Sequence, residues 1–134
     1  MRFVLLILIL LVVAGLGYIR LAPSDAARWH VPVEETESAD FDGGAVRVVE
    51  ASPEDFAAAA AFMEALPRTQ VLAGSTDAGR VTYITRSAAF GFPDYTTLEY
   101  ADGTLKAHAR LRFGRSDMGV NRERLEGLLA ALQG

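Results

Sequence analysis

Between Phe3 and Ile19 the chain reads FVLLILILLVVAGLGYI, with no charged side chain, and Leu21 and Ala22 extend the run past Arg20. As a helix rising ~1.5 Å per residue it is about 25 to 30 Å long, close to the ~30 Å hydrocarbon thickness of a bilayer. A single domain built from the rest of a 134-residue chain has no core that could enclose it. Two fates fit this segment: a retained anchor, or a signal peptide cleaved near Ser24-Asp25-Ala26. The run exceeds the ~7 to 15 apolar residues of a signal core, which favours retention, and either fate exports the remainder of the chain. The amino terminus and Arg2 are expected to stay inside, although Arg20 and Arg28 on the far side oppose the usual positive-inside bias. Residues 3–22 are therefore the expected membrane contact.

From Pro23 to Gly44 the composition changes to PSDAARWHVPVEETESADFDGG, carrying Glu34, Glu35, Glu37, Asp40 and Asp42. So acidic a stretch buries too little apolar surface to offset its ordering entropy, and it reads mostly as an extended tether. Trp29 suits either the membrane interface or docking on the domain. The chain has no cysteine, which removes disulfides, thiolate nucleophiles and Cys-based zinc sites, and His30 and His108 are its imidazoles. A net charge of -4 argues against a nucleic-acid partner, which would require clustered Lys and Arg.

The folded part is expected from residue 45 to 134. AVRVVEA, Ala45 to Ala51, is a β-branched first strand. SPEDFAAAAAFMEALP then specifies a helix: Ser52 as N-cap, Pro53 at the first helical position, Asp55 completing a capping box and Pro67 closing it. Phe56, Ala60, Met63 and Leu66 make its buried stripe. TQVLAG and GRVTYITRSAAF read as strands, and FPDYTTLEY and TLKAHARLRF as two more joined by Asp102-Gly103, a hairpin turn signal. That turn pairs Glu99 with Lys106, Thr97 with His108 and Tyr95 with Arg110, and Leu98 with Ala107 on the other face. Leu105, Ala107, Ala109, Leu111 and Phe113 then pack, while Lys106, His108, Arg110 and Arg112 form a cationic ladder. A last helix buries Leu125, Leu128, Leu129 and Leu132, with Arg122 and Glu126 spaced to pair. The order β-α-β-β-β-β-α predicts an α+β two-layer domain, an antiparallel meander with both helices on one face.

RSDMGVNRERLE, from Arg115, is similar to the closing motif of the bacterial family known as domain of unknown function 1499, and FGFPDYTTLEY resembles its Gly-Phe-x-Asp segment. The resemblance runs from about Val46 to the end and rests on Asp117, Gly119, Asn121, Arg122, Arg124 and Glu126. It implies an exported or membrane-bound protein, here a single-pass protein of the bacterial inner membrane with its domain in the periplasm, and it implies no assigned activity. The chain departs from the pattern in three places. It lacks an Asn-Cys segment before the first strand. It has His108, Ala109, Arg110, Leu111 and Arg112 where relatives carry Arg-Ser-x-Ser-Arg, and Tyr95 after Asp94 where many have paired aspartates.

The motif admits three readings. In a structural one, Gly119 supplies a positive φ, Ser116 or Asp117 takes orphan amide protons, Asn121 caps the helix, and Asp94 and Asp117 anchor Arg110 or Arg112. In the second, the helix amino terminus with Arg112, Arg115, Ser116, Gly119, Asn121 and Arg122 holds a phosphate, carboxylate or lipid head group. In the third, His108 with Thr97 opposite and Ser116 nearby makes a hydrolase. A binding or cell-envelope role without catalysis, cofactor or metal is the expectation; the protein or lipid partner is not named by the residues.

Overall fold

The structure is a computed structural model and describes residues 1–133, so Gly134, the last residue of the expected domain, lies outside the described residues. In chain order it has helix α1 (Arg2–Leu21), a short helix α2 (Ala26–Trp29), strands β1 (Ala39–Phe41) and β2 (Gly44–Glu50), and helix α3 (Pro53–Ala65). Strands β3 (Thr69–Ser75), β4 (Arg80–Arg86), β5 (Pro93–Ala101) and β6 (Thr104–Leu111) come next, then helix α4 (Val120–Gln133). This is an α+β architecture, with an apolar amino-terminal helix ahead of an open six-stranded sheet of order β1-β2-β6-β5-β4-β3.

Every neighbouring pair is antiparallel. The meander runs from β3 to β6, but β2 lies beside β6, so α3 carries the chain across the sheet to its far edge. The β5–β6 hairpin has the register expected from its turn: Tyr95 faces Arg110, Thr97 faces His108, Glu99 faces Lys106 and Leu98 faces Ala107. Asp102 and Gly103 both take positive φ, 52° and 77°, as that turn requires. α3 starts with the full capping box, the Ser52 hydroxyl accepting from the Asp55 amide and the Asp55 carboxylate accepting from the Ser52 amide. Phe56, Ala59 and Met63 from α3 and Leu125 and Leu128 from α4 then cover Val81, Tyr83, Leu98, Leu105, Ala107 and Ala109. Both helices thus lie on one face, over a core of aliphatic side chains, phenylalanine and one tyrosine.

The opposite face differs from expectation. Residues 23 to 44 are not a free tether: α2 docks on the sheet, and β1 pairs with β2 to add a sixth strand. Trp29 is buried and stacks on Tyr95, ring centroids 4.0 Å apart and 9° from parallel, with Ile84 and Leu72 completing a second apolar cluster. Val33 is buried further along. The physical reason is that a few well-placed apolar residues suffice when the surface beneath offers an aromatic platform and donors for their backbone. Arg110 donates to the Trp29 carbonyl, Lys106 to the Val33 carbonyl at 3.3 Å, and Arg112 to the Pro23 carbonyl at 3.0 Å. Lys106, Arg110 and Arg112 of the cationic ladder are therefore half-covered and bonded to carbonyl oxygens of the docked segment rather than fully solvated.

α1 has no buried residues, yet its end is tied to this covered face. Ala22 is buried, Ser24 shares a 2.6 Å hydrogen bond with the Tyr95 hydroxyl, and Tyr18 meets Phe113 edge-to-face. Trp29→Ala removes the stack and should cost about 3 kcal/mol of stability in urea unfolding of the detergent-solubilised chain followed by circular dichroism, whereas Trp29→Phe should cost less than half of that. Equal stability of the wild type and the alanine variant would show that the segment does not contribute to the fold.

Candidate functional site

The turn before α4 is built from its own residues. Met118 and Gly119 have positive φ, 54° and 81°, which folds the chain back so that Asp117 lies under the first amides of the helix. One Asp117 oxygen accepts from the Gly119 amide at 2.9 Å, the other from the Asn121 amide at 3.1 Å, and the Ser116 hydroxyl takes the Met118 amide at 3.2 Å. The Met118, Gly119 and Asn121 amides at this helix start are thus already committed to Ser116 and Asp117.

Asn121 is wholly buried and relays this turn to the sheet. Its Nδ2 donates to Asp117 at 2.8 Å, and its Oδ1 accepts from Arg124, which in turn pairs with Asp94 on β5 at 3.5 Å. Burial raises the Asp94 pKa, Arg124 opposes that rise, and the nearby Asp117 charge reinforces it. Two half-buried carboxylates, one buried amide and one guanidinium are therefore linked in one network, and the Arg124 charge counteracts the burial that raises the Asp94 pKa. Glu126 does not pair with Arg122. It accepts from Arg47 on β2 at 2.7 Å, and Arg47 also meets Asp40 on β1 at 2.8 Å. The longer reach wins because Arg47 lies across the helix–sheet boundary with most of its side chain buried, where an ion pair is screened less than one along the helix surface.

Arg112 is not at this turn. It points to the other face of the sheet, toward Pro23 and the Tyr95 hydroxyl. Arg110 likewise engages Thr97 and Trp29, so neither aspartate anchors a ladder arginine. Arg122 stays exposed and lines a shallow cavity of about 280 Å³ with Ser116, Gly119, Asp40 and Asp42. Two carboxylates there oppose any anion. Arg115 is exposed as well.

On the covered face, His108 and Arg110 line an open cavity of about 570 Å³ closed by Trp29, Glu34 and Glu35. His108 lies opposite Thr97 in the ladder, but the Thr97 hydroxyl is engaged by Thr82 and Arg110, each at 2.8 Å. His30 extends the chain of contacts, its Nδ1 lying 2.8 Å from the Thr82 hydroxyl. Ser116 lines different cavities from His108. The three groups of the hydrolase reading are thus not assembled around one point. Nothing in the residue order marks His30, Thr82 and Trp29 as one network; only the docking of residues 23 to 33 brings them together. No group of His, Asp and Glu side chains among the described residues has the spacing to hold a metal ion.

Arg124→Met strands Asp94 and Asp117 together and should destabilise the protein by about 2 to 4 kcal/mol, with Asp94→Asn in the same chain recovering part of the loss in a double-mutant cycle. Additive losses would show that Asp94 and Arg124 are not coupled. The imidazoles give a second prediction. Burial, then the Arg110 charge, lower the His108 pKa from 6.5, and burial followed by Arg80 and Arg110 lower that of His30. Folding therefore favours both imidazoles neutral. That stability is complete above the unfolded pKa and is lost as pH falls through the depressed folded values. His108→Gln should accordingly lose less stability than the wild type between about pH 7 and about pH 5, measured by thermal melting. Parallel curves would rule out the depressed pKa.

A search of curated proteins returns no match to this chain. A family match does cover residues 25–132, which includes all of the docked segment but Pro23 and Ser24, the whole sheet and α3 and nearly all of α4. The chain belongs to the family described as "Protein of unknown function (DUF1499)".

Proposed function

We propose that this protein is a single-pass, membrane-anchored domain of the bacterial cell envelope, facing the periplasm, whose role is binding or assembly rather than catalysis and needs no cofactor. Residues 1 to 22 serve as the anchor and residues 45 to 134 as the α+β domain. The intervening residues 23 to 44 form its outer covering rather than a spacer. The observation that carries this reading is the contrast within α1: a 20-residue helix with an 18-residue stretch of mean hydropathy 2.7, none of it buried in the protein, whose last turn nonetheless meets the domain, Tyr18 edge-to-face on Phe113 and the Ile19 carbonyl accepting from Arg86 at 3.5 Å. A signal peptide destined for removal has no use for that fastening.

The binding reading is favoured over hydrolysis by the separation of Ser116 from His108 and by the commitment of the Thr97 hydroxyl. The helix start is a weaker anion site than residue type suggests, because Asp117 already occupies it. Intact mass of the protein purified from membranes should include residues 1 to 22, alkaline carbonate should leave it in the pellet, and protease added to spheroplasts should digest the domain. A mature chain beginning after Ala22 would refute retention, and protection in spheroplasts would reverse the orientation.

A further inference from the structure

Where α1 ends against the sheet, Arg20, Arg68 and Arg86 line one open cavity of about 370 Å³ together with Thr69, Ser87 and Gly91. No carboxylate lines it. Arg47, Arg80 and Arg124 each have an acidic partner, whereas among the described residues none of these three guanidinium groups does. In a chain with 17 acidic and 13 basic residues, three uncompensated arginines in one recess run against the overall charge.

The backbone holds these arginines in place. Arg68 adopts φ 55°, a left-handed conformation that is strained for a residue with a Cβ. It is kept there by reciprocal bonds: the Arg86 amide donates to the Arg68 carbonyl at 2.9 Å, and Arg68 Nε donates to the Arg86 carbonyl at 3.0 Å. Arg86 Nη1 donates to the Gly91 carbonyl at 2.9 Å and to the Ile19 carbonyl at 3.5 Å, leaving its Nη2 without a protein partner among the described residues. Gly91 has φ 71°, and a Cβ on it would lie 3.3 Å from Arg20 Cγ and Nη1, so the arginine passes closely over a bare backbone. Each contact to a carbonyl uses a single donor and leaves others of the planar fork free, the geometry that matches phosphate oxygens.

Position supplies the second argument. Arg20 directly follows the apolar run, and Tyr18, two residues earlier, is 61% exposed. A tyrosine and an arginine at the end of an apolar helix are interfacial anchors and belong at head-group depth. We propose that the cavity binds the phosphate group of an anionic phospholipid in the leaflet where α1 ends, an inference that rests on α1 being a retained anchor. A bound phosphodiester supplies the counter-charge that the protein does not.

The test uses the full chain in nanodiscs of phosphatidylcholine with phosphatidylglycerol, counting retained lipid by native mass spectrometry. Arg20→Gln and Arg68→Asn are compared singly and together; Asn tolerates the left-handed backbone, and Arg20 is exposed at a helix end, so the fold is not at stake. The wild type should prefer phosphatidylglycerol by about tenfold and the double variant should lose about that factor. Equal retention of the two lipids, or unchanged retention in a double variant with native melting, overturns the proposal. Inorganic phosphate titrated against the detergent-solubilised chain distinguishes the source: an arginine-dependent site that prefers the free ion overturns the lipid assignment. If carbonate releases the chain, the anchor reading fails by itself. A soluble short-chain phosphatidylglycerol then probes the released protein, where arginine-dependent binding supports the cavity and no binding overturns it.

Discussion

Arg110 sits at the centre of the covered face, and most of what distinguishes this fold depends on how its charge is accommodated. Burial pushes its pKa down to about 10, and no carboxylate bonds it directly. Its donors instead reach the Thr97 hydroxyl and the carbonyls of His108 and Trp29. Meeting the Trp29 carbonyl fixes the backbone of α2, which lays the indole on Tyr95 and places His30 against Thr82. A cation held by dipoles in this way acts as a backbone anchor, and the segment it holds shields it from water in return.

The other face is organised by a second set of polar contacts with a different logic. There the charged groups are half-buried carboxylates, and buried Asn121 with Arg124 links Asp94 and Asp117 while joining the start of α4 to β5. Arg47 does the same between α4, β2 and β1 at the other end of that helix surface. Asp117, Asn121, Arg124 and Glu126, on which the resemblance rests, thus serve largely to fasten one helix to one sheet. Thr96, on the same face as Asp94, is the counter-example: its buried hydroxyl has no partner among the described residues.

Much of this is legible in residue order. Capping residues and the Asp102-Gly103 turn depend on local chemistry, so α3 and the β5–β6 register can be read without tertiary information. Strand alternation likewise assigns Leu105, Ala107 and Ala109 to the core. The features that escape are decided at long range. Glu34, Glu35 and Glu37 set the composition of residues 23 to 44, but Trp29 and Val33 set its fate, because docking energy is concentrated in a few positions that averaging conceals. The partners of Glu126 and Asp94 are hidden for a related reason. Spacing along a helix identifies neighbours within it, while Arg47 and the Asp94–Arg124 pair are brought together only by the crossing of α4 over the sheet. The arginine recess draws on three separate elements, and no linear window contains it.

The docking of residues 23 to 33 also sets how far the domain can act. Residues 23 to 44 fully extended would let it range about 70 Å from the point where α1 ends. Bound to the sheet through Trp29, Ser24 and Pro23, the same residues allow almost no excursion. With α1 in a bilayer, such a domain works at contact distance: it can meet what lies on or moves along the membrane surface, and anything in the wider compartment must come to it.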